Sequence, residues 1–175
     1  MTLPPHIVVM GVSGSGKTTV ATRLAGALGR PFAEADDLHP AANVAKMAAG
    51  TPLTDEDRAP WLATVRDWLT SESRQGRAAV VTCSALRRVY RDVLREASGG
   101  VVFVQLDVDP ERLAVRMRAR KGHFMPPSLL QSQLDTLEPL GRDEDGVRVA
   151  AGGEADDVVA EALRRLGARA HGHAQ

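Results

Sequence analysis

The run Gly11-Val12-Ser13-Gly14-Ser15-Gly16-Lys17-Thr18 constrains this chain more than any other feature. It follows the apolar stretch Ile7-Val8-Val9-Met10 and leads into a helix-like segment from Val20 to Leu28. Strand, glycine loop and helix in that order are the context in which the spacing G-x-x-x-x-G-K-S/T binds phosphate. The glycines let backbone N–H groups turn inward and ring a polyphosphate, and the helix N-terminus adds its positive dipole end. Lys17 is placed to reach the β- and γ-phosphates, and the Thr18 hydroxyl to hold Mg²⁺. A glycine-rich turn that merely caps a helix does not explain Lys17-Thr18.

Beyond this loop the chain alternates strand and helix signals. Ile7–Met10, Ala78–Thr82 and Val101–Leu106 read as buried parallel strands, with Pro31–Ala35 and Val147–Ala150 as shorter ones. Helices are expected from Pro40 to about Ala49, from Thr54 to about Gln75, and over Ala85–Ala97, Pro110–Ala119, Pro127–Leu137 and Glu154–Ala168. Thr54-Asp55-Glu56-Asp57 has the composition of a capped, acidic first turn. The stretch from Ala170 to Gln175 is expected to fray. Alternating β and α elements define an α/β fold with a parallel sheet and right-handed crossovers, and ligands gather at the carboxyl ends of such strands.

Composition removes several function classes. At 175 residues, with 43% hydrophobic and 25% charged residues, the chain is of ordinary single-domain type. Lys plus Arg and Asp plus Glu both number 22, so no basic excess points to nucleic acid or a membrane surface. No apolar run is long enough to span a bilayer, and Met1–Pro5 lacks the features of a signal peptide. Cys83 is the only cysteine, so no intrachain disulfide forms, and cytoplasmic residence is the expectation.

The strand-end rule directs attention to Glu34-Ala35-Asp36-Asp37-Leu38-His39-Pro40. Strand alternation sets Glu34 and Asp36 on one side, beside the glycine loop. Phosphoryl transfer needs one carboxylate near Mg²⁺ and one that orients the acceptor hydroxyl and takes its proton. Glu34 is expected in the first role, through water, and Asp36 in the second; the plainer alternative is that Asp36 or Asp37 caps the next helix. His39 is expected to contact the acceptor. After the third strand, Ser84 is set to face the acceptor pocket, and Cys83 reads as a small buried residue rather than a nucleophile. On the basic helix face that follows, Arg87 or Arg91 is a candidate for an anionic substrate. Arg58 offers a fork for a carboxylate, against an intrahelical pair with Asp55. Lys46 is a weaker candidate, and Trp61 and Trp68 read as packing. Past the fourth strand, Arg116 and Arg120 share a helix face, where one guanidinium can stack on adenine and another clamp phosphates. Gly122 then supplies a joint for a lid over ATP, spanning about residues 120–137.

Taken together these segments resemble the gluconate kinase family of P-loop small-molecule kinases. The resemblance covers nearly the whole chain and rests on Met10–Thr18, on Asp36 with Leu38-His39-Pro40, and on Asn43 with Lys46-Met47. Gly50 with Pro52-Leu53, Asp55 with Asp57-Arg58, and Pro60-Trp61-Leu62 extend it, as do Cys83–Leu86, Tyr90-Arg91-Asp92 and Ala119–Phe124. It implies ATP-dependent phosphorylation of D-gluconate to 6-phospho-D-gluconate. It also implies a five-stranded parallel sheet of order 2-3-1-4-5, a lid, Mg²⁺, Lys17, Asp36 and Arg120 as catalytic residues, and a homodimer. Glu34 departs from the Asp that related kinases tend to carry. The nearest rival within kinases is a shikimate kinase, yet Cys83-Ser84-Ala85 stands where a glycine triplet is expected. An adenylate kinase lacks its nucleobase site here. A nucleotide-dependent switch ATPase is the rival from another class, and an N-K-x-D guanine-reading sequence is absent. A silent binding module is disfavoured by intact Lys17, Thr18, Asp36 and Arg120.

Overall fold

The computed structural model describes residues 3–119 and 127–172. Strand β1 (His6–Met10) is buried at every position because it pairs on both edges and is covered on both faces. It runs parallel to β3 (Val80–Thr82) on one side and to β4 (Val101–Asp107) on the other. The edge strands are β2 (Phe32–Glu34), beside β3, and β5 (Gly146–Ala150), beside β4. The sheet order is therefore β2-β3-β1-β4-β5, all parallel, as the family resemblance implied.

The two-residue period of the strands sorts their side chains into two cores. Val8, Met10, Val81 and Phe103 face one layer, built by α3 (Asp55–Arg74) and α4 (Arg88–Arg95) with Trp61, Leu62, Leu69 and Leu94. Ile7, Val9, Val102, Val104 and Leu106 face the other, built by α1 (Lys17–Leu28) and α7 (Ala155–Gly172) with Val20, Leu24, Val158 and Ala162. The remaining helices are α2 (Ala41–Ala48), α5 (Pro110–Ala119) and α6 (Pro127–Thr136). A small third cluster joins Leu130 of α6 to Val12, Leu86 and Leu113, so α6 rests on the glycine loop. Among the described residues no helix is long and apolar enough to cross a membrane.

Several boundaries differ from the sequence reading. Helix α4 begins at Arg88, not Ala85, because Ala85 takes a left-handed φ of 45° and the chain stays extended to Arg87. Helix α7 continues through Gly172 instead of fraying at Ala170; residues 173–175 lie outside the described residues. Strand β2 ends at Glu34, where the chain tightens into a short 3₁₀ turn, Ala35–Leu38. The capped start of α3 is as expected: Thr54 Oγ1 accepts from Asp57 N–H at 3.1 Å, and Asp57 accepts from Thr54 N–H at 2.9 Å.

His6 ties β1 to its surroundings through side-chain bonds. Its Nδ1 accepts from Ala79 N–H at 3.0 Å, so Nε2 carries the proton and donates to the Ser98 carbonyl at 3.0 Å. Burial pushes its pKa below the ordinary 6.5, since protonation would both charge a buried ring and remove the acceptor for Ala79. With the folded value depressed, the stabilising contribution is present above the unfolded value and is lost as pH falls below it. Thermal unfolding followed from pH 8 downward should therefore show Tm falling from about pH 6.5, the unperturbed histidine value. A His6→Gln variant, which keeps a donor and an acceptor but does not titrate, should flatten that slope.

Candidate active site

The loop between β1 and α1 is held open by its glycines. A side chain at Gly11 would meet Ser15 Oγ at 2.8 Å and the Leu106 carbonyl oxygen at 3.1 Å. Gly16 has open space around it, but its φ of 94° is one that L-residues rarely adopt. Among the described residues no side chain caps α1, which leaves the first N–H groups of that helix to another acceptor. Ser15 is buried, and its hydroxyl has no hydrogen-bond partner among the described residues. Lys17 Nζ curls over the loop and donates to the carbonyls of Gly11 at 2.9 Å and Val12 at 3.1 Å. Thr18 is exposed in the first turn. An uncapped helix, an orphaned buried hydroxyl and an ammonium over the same loop together form a seat for polyphosphate oxygens.

Successive residues of this one loop line two different hollows. Gly14, Ser15 and Gly16 form the floor of a groove of about 410 Å³, walled by Val20, Arg116, Ala119, Ala151 and Val158. Ser13 and Lys17 instead face a cleft of about 290 Å³ with Asp36, His39, Arg58, Trp61 and Ser84. A phosphate chain lying along the loop would enter from the groove and present its end in the cleft. Arg116 spans the groove, donating to the Gly14 carbonyl at 3.2 Å and the Ala151 carbonyl at 2.7 Å. Arg120 and Gly122 lie outside the described residues, as does residue range 120–126 of the expected lid.

In the cleft, Asp36 is carried by the 3₁₀ turn rather than by strand alternation, and its side chain is 75% exposed. His39 stacks on Trp61 with ring centroids 4.0 Å apart and an interplanar angle of 15°. Asn43, buried in α2, donates Nδ2–H to the Asp57 carbonyl at 2.9 Å and to His39 Nδ1 at 3.2 Å. The proton of His39 therefore sits on Nε2, which lies 4.0 Å from Asp36 Oδ1. Burial lowers the pKa of His39 and keeps the ring neutral, so it presents a donor without a charge. Trp61 is itself fixed by a 2.7 Å bond from Nε1–H to the Ala35 carbonyl, consistent with packing as its main role. Lys46 is drawn away from the cleft to Asp57, at 2.8 and 3.0 Å, and with Thr54 brings the Asp57 pKa down to about 2.

Glu34 Oε2 accepts from the Thr82 hydroxyl at 2.9 Å, which pins the carboxylate across the ends of β2 and β3. Cys83 is fully buried and its thiol is pushed up to about 12, so it is no nucleophile. Ser84 does line the cleft. Of the arginines expected at the acceptor, Arg58 lines the cleft, whereas Arg87 bonds Asp55 at 2.6 Å and Glu138 at 3.3 Å. Arg91 is a correction. It is fully buried, forms a bidentate pair with Glu144 at 2.7 and 2.9 Å, and donates to the Ala85 carbonyl at 2.8 Å. It clamps the left-handed Ala85 turn next to Ser84 and cannot reach an acceptor.

Gln133 and Ser132 were not found by sequence reasoning, yet both line the cleft. Gln133 Oε1 accepts from Ser13 N–H at 2.7 Å, linking α6 to the glycine loop. Only the proximity of α6 to the loop reveals this, because the two residues are 120 positions apart. Met47 and the Gly50–Leu53 turn complete the rim.

A parallel 2-3-1-4-5 sheet, with a glycine loop shared between a nucleotide-sized groove and a polar cleft, defines a P-loop phosphotransferase. Comparison with known proteins narrows the class. The AAA domain family matches residues 7–140. A gluconokinase of Gluconobacter oxydans is 54% identical over 163 residues, 93% of this chain and 92% of that protein. The crystal structure of a gluconokinase from Sinorhizobium meliloti superposes with a TM-score of 0.87 at 47% identity, covering 100% of both chains. A shikimate kinase of Aquifex aeolicus, at 20% identity and a TM-score of 0.61, shares the fold alone. The chain belongs to the gluconokinase family.

Arg91→Leu should destabilise the fold by about 3 kcal/mol, because it takes the bidentate partner from a buried carboxylate and leaves it Arg95 and the Gly141 N–H. Denaturant unfolding measures this. A change confined to acceptor affinity, with stability intact, would return Arg91 to the substrate.

Proposed function

We propose that this chain transfers the terminal phosphoryl group of ATP to D-gluconate, giving 6-phospho-D-gluconate. The observation that carries the reading is the composition of the cleft beside Lys17: an exposed carboxylate, a neutral histidine and an arginine. A polyol with a carboxylate at one end matches that set group for group. Asp36 orients the terminal hydroxyl and takes its proton as the P–O bond forms. His39 donates Nε2–H to a hydroxyl, Ser84 adds a second polar contact, and Arg58 forks to the carboxylate. The gluconokinase names of close relatives support the same acceptor.

On the donor side, Gly11 to Thr18 receive the phosphates, with Lys17 offsetting the charge that builds on the transferred group. Arg116 flanks the nucleotide groove, and Arg120 is assigned the phosphate clamp. Thr18 and Glu34 are hard oxygen donors of the kind Mg²⁺ takes, and few protein ligands suffice when phosphates supply the rest. Among the described residues no group of three His, Cys, Asp or Glu gathers to hold a metal. When bound, Mg²⁺ neutralises phosphate charge. Closure of residues 120–137 excludes water from the transfer. Homodimerisation, a single kinase domain and cytoplasmic residence complete the reading.

ADP release with Mg·ATP is to be measured against D-gluconate, shikimate, AMP, glucose and no acceptor. Turnover with gluconate alone, with the product confirmed by mass, is expected; turnover with another acceptor, or with none, refutes the assignment. Asp36→Asn should lower kcat by about a hundredfold or more while ATP affinity holds. Lys17→Ala should impair nucleotide binding and transfer together. Equal loss of nucleotide affinity in Asp36→Asn would remove Asp36 from the acceptor side.

A further inference from the structure

The way Arg58 is held sets the selectivity of the cleft. Arg58 Nη1 donates to the Tyr90 hydroxyl at 3.0 Å, and this is the one hydrogen bond its guanidinium makes among the described residues. Asp55, the nearest carboxylate, stands 4.0 Å away, too far for a direct bond. Its two oxygens are already taken: Oδ1 accepts from the Tyr90 hydroxyl and Oδ2 from Arg87 Nη1 at 2.6 Å. Tyr90 therefore passes the attraction of Asp55 to Arg58 through its hydroxyl without letting the carboxylate neutralise the arginine at contact. The Tyr90 ring adds a cation–π surface, with the Arg58 carbon 5.3 Å from its centroid. The phenol is itself buried, and burial raises its pKa, so it stays a protonated donor.

The result is a guanidinium fixed at one corner, lining the cleft, with Nε and Nη2 left for a ligand. We propose that Tyr90, backed by Asp55, is a positioning residue that aims the Arg58 fork at the carboxylate of the acceptor and so makes the cleft select acidic over neutral polyols. This rests on the gluconate reading above. Arg87 anchors the assembly from the far side, holding Asp55 at the start of α3 and Glu138 just after α6. Its guanidinium also sits over the Tyr90 ring, at 5.7 Å.

Tyr90→Phe isolates the idea, because it removes the hydroxyl and keeps the ring, its burial and both cation–π contacts. Steady-state kinetics are to be run on wild type and variant with D-gluconate and with D-glucitol, the same carbon chain lacking the carboxylate. The variant should raise KM for gluconate about tenfold, the scale of one hydrogen bond to a charged group. Its kcat, its KM for ATP and its kcat/KM for glucitol should hold, so the preference for gluconate over glucitol falls by the same factor. An unchanged gluconate KM overturns the inference, as does a parallel loss on both polyols and ATP, which would mark Tyr90 as merely structural. A wild type that does not turn over gluconate overturns the functional reading, and this inference with it; gluconate turnover with an unaltered variant overturns the inference alone.

Discussion

Everything in this molecule depends on the complete burial of β1. A strand paired on both edges and covered on both faces has no freedom to shift, so the loop that leaves its carboxyl end starts from a fixed point. From there Gly11 passes within contact of the Leu106 carbonyl, and the chain enters α1 without a side-chain cap. The polar groups a phosphate would bind are thereby held in advance, and little ordering remains to be done when it arrives. The same rigidity divides the loop between two hollows, one suited to a nucleotide and one to a small polar acceptor.

Around this centre the elements of the acceptor cleft are fastened to one another by polar ties. Asn43 and Lys46 fasten α2 to the first turn of α3. Gln133 fastens α6 to Ser13, and Arg87 joins the start of α3 to the end of α6. Arg91 and Glu144, both buried, lock the turn that presents Ser84. Buried charge is costly unless paired, so this pair is better read as a geometric clamp than as a source of stability. It holds Ala85 in a left-handed conformation that would otherwise cost about 1–3 kcal/mol.

Much of this was legible from residues alone. The apolar runs marked all five strands, and the Thr54–Asp57 cap marked the start of α3. Lys17, Asp36, His39, Arg58 and Ser84 were expected at one site and do line one cleft. Asp36 arrived there for a different reason than alternation, since the strand stops two residues earlier. Arg91 was misassigned because helix periodicity gives its spacing from Arg87 but not the depth of its face. Gln133 carried no local signal that would distinguish it from an ordinary helix residue, and Tyr90 stood in the Tyr90-Arg91-Asp92 motif with no role attached to it.

The amino-acid sequence by itself determined the class: a glycine loop between an apolar strand and a helix, repeated β–α alternation, and motif residues whose chemistry is local. Local spacing sets backbone conformation and which residue types stand near a strand end, and these survive being read in one dimension. Tertiary structure alone decided which charges meet. Whether an arginine is spent on Glu144, tied to Asp55 or left open toward the cleft depends on partners 53, 32 or more positions away. Electrostatic pairing acts through space over a few ångströms, and no periodicity along the chain encodes it.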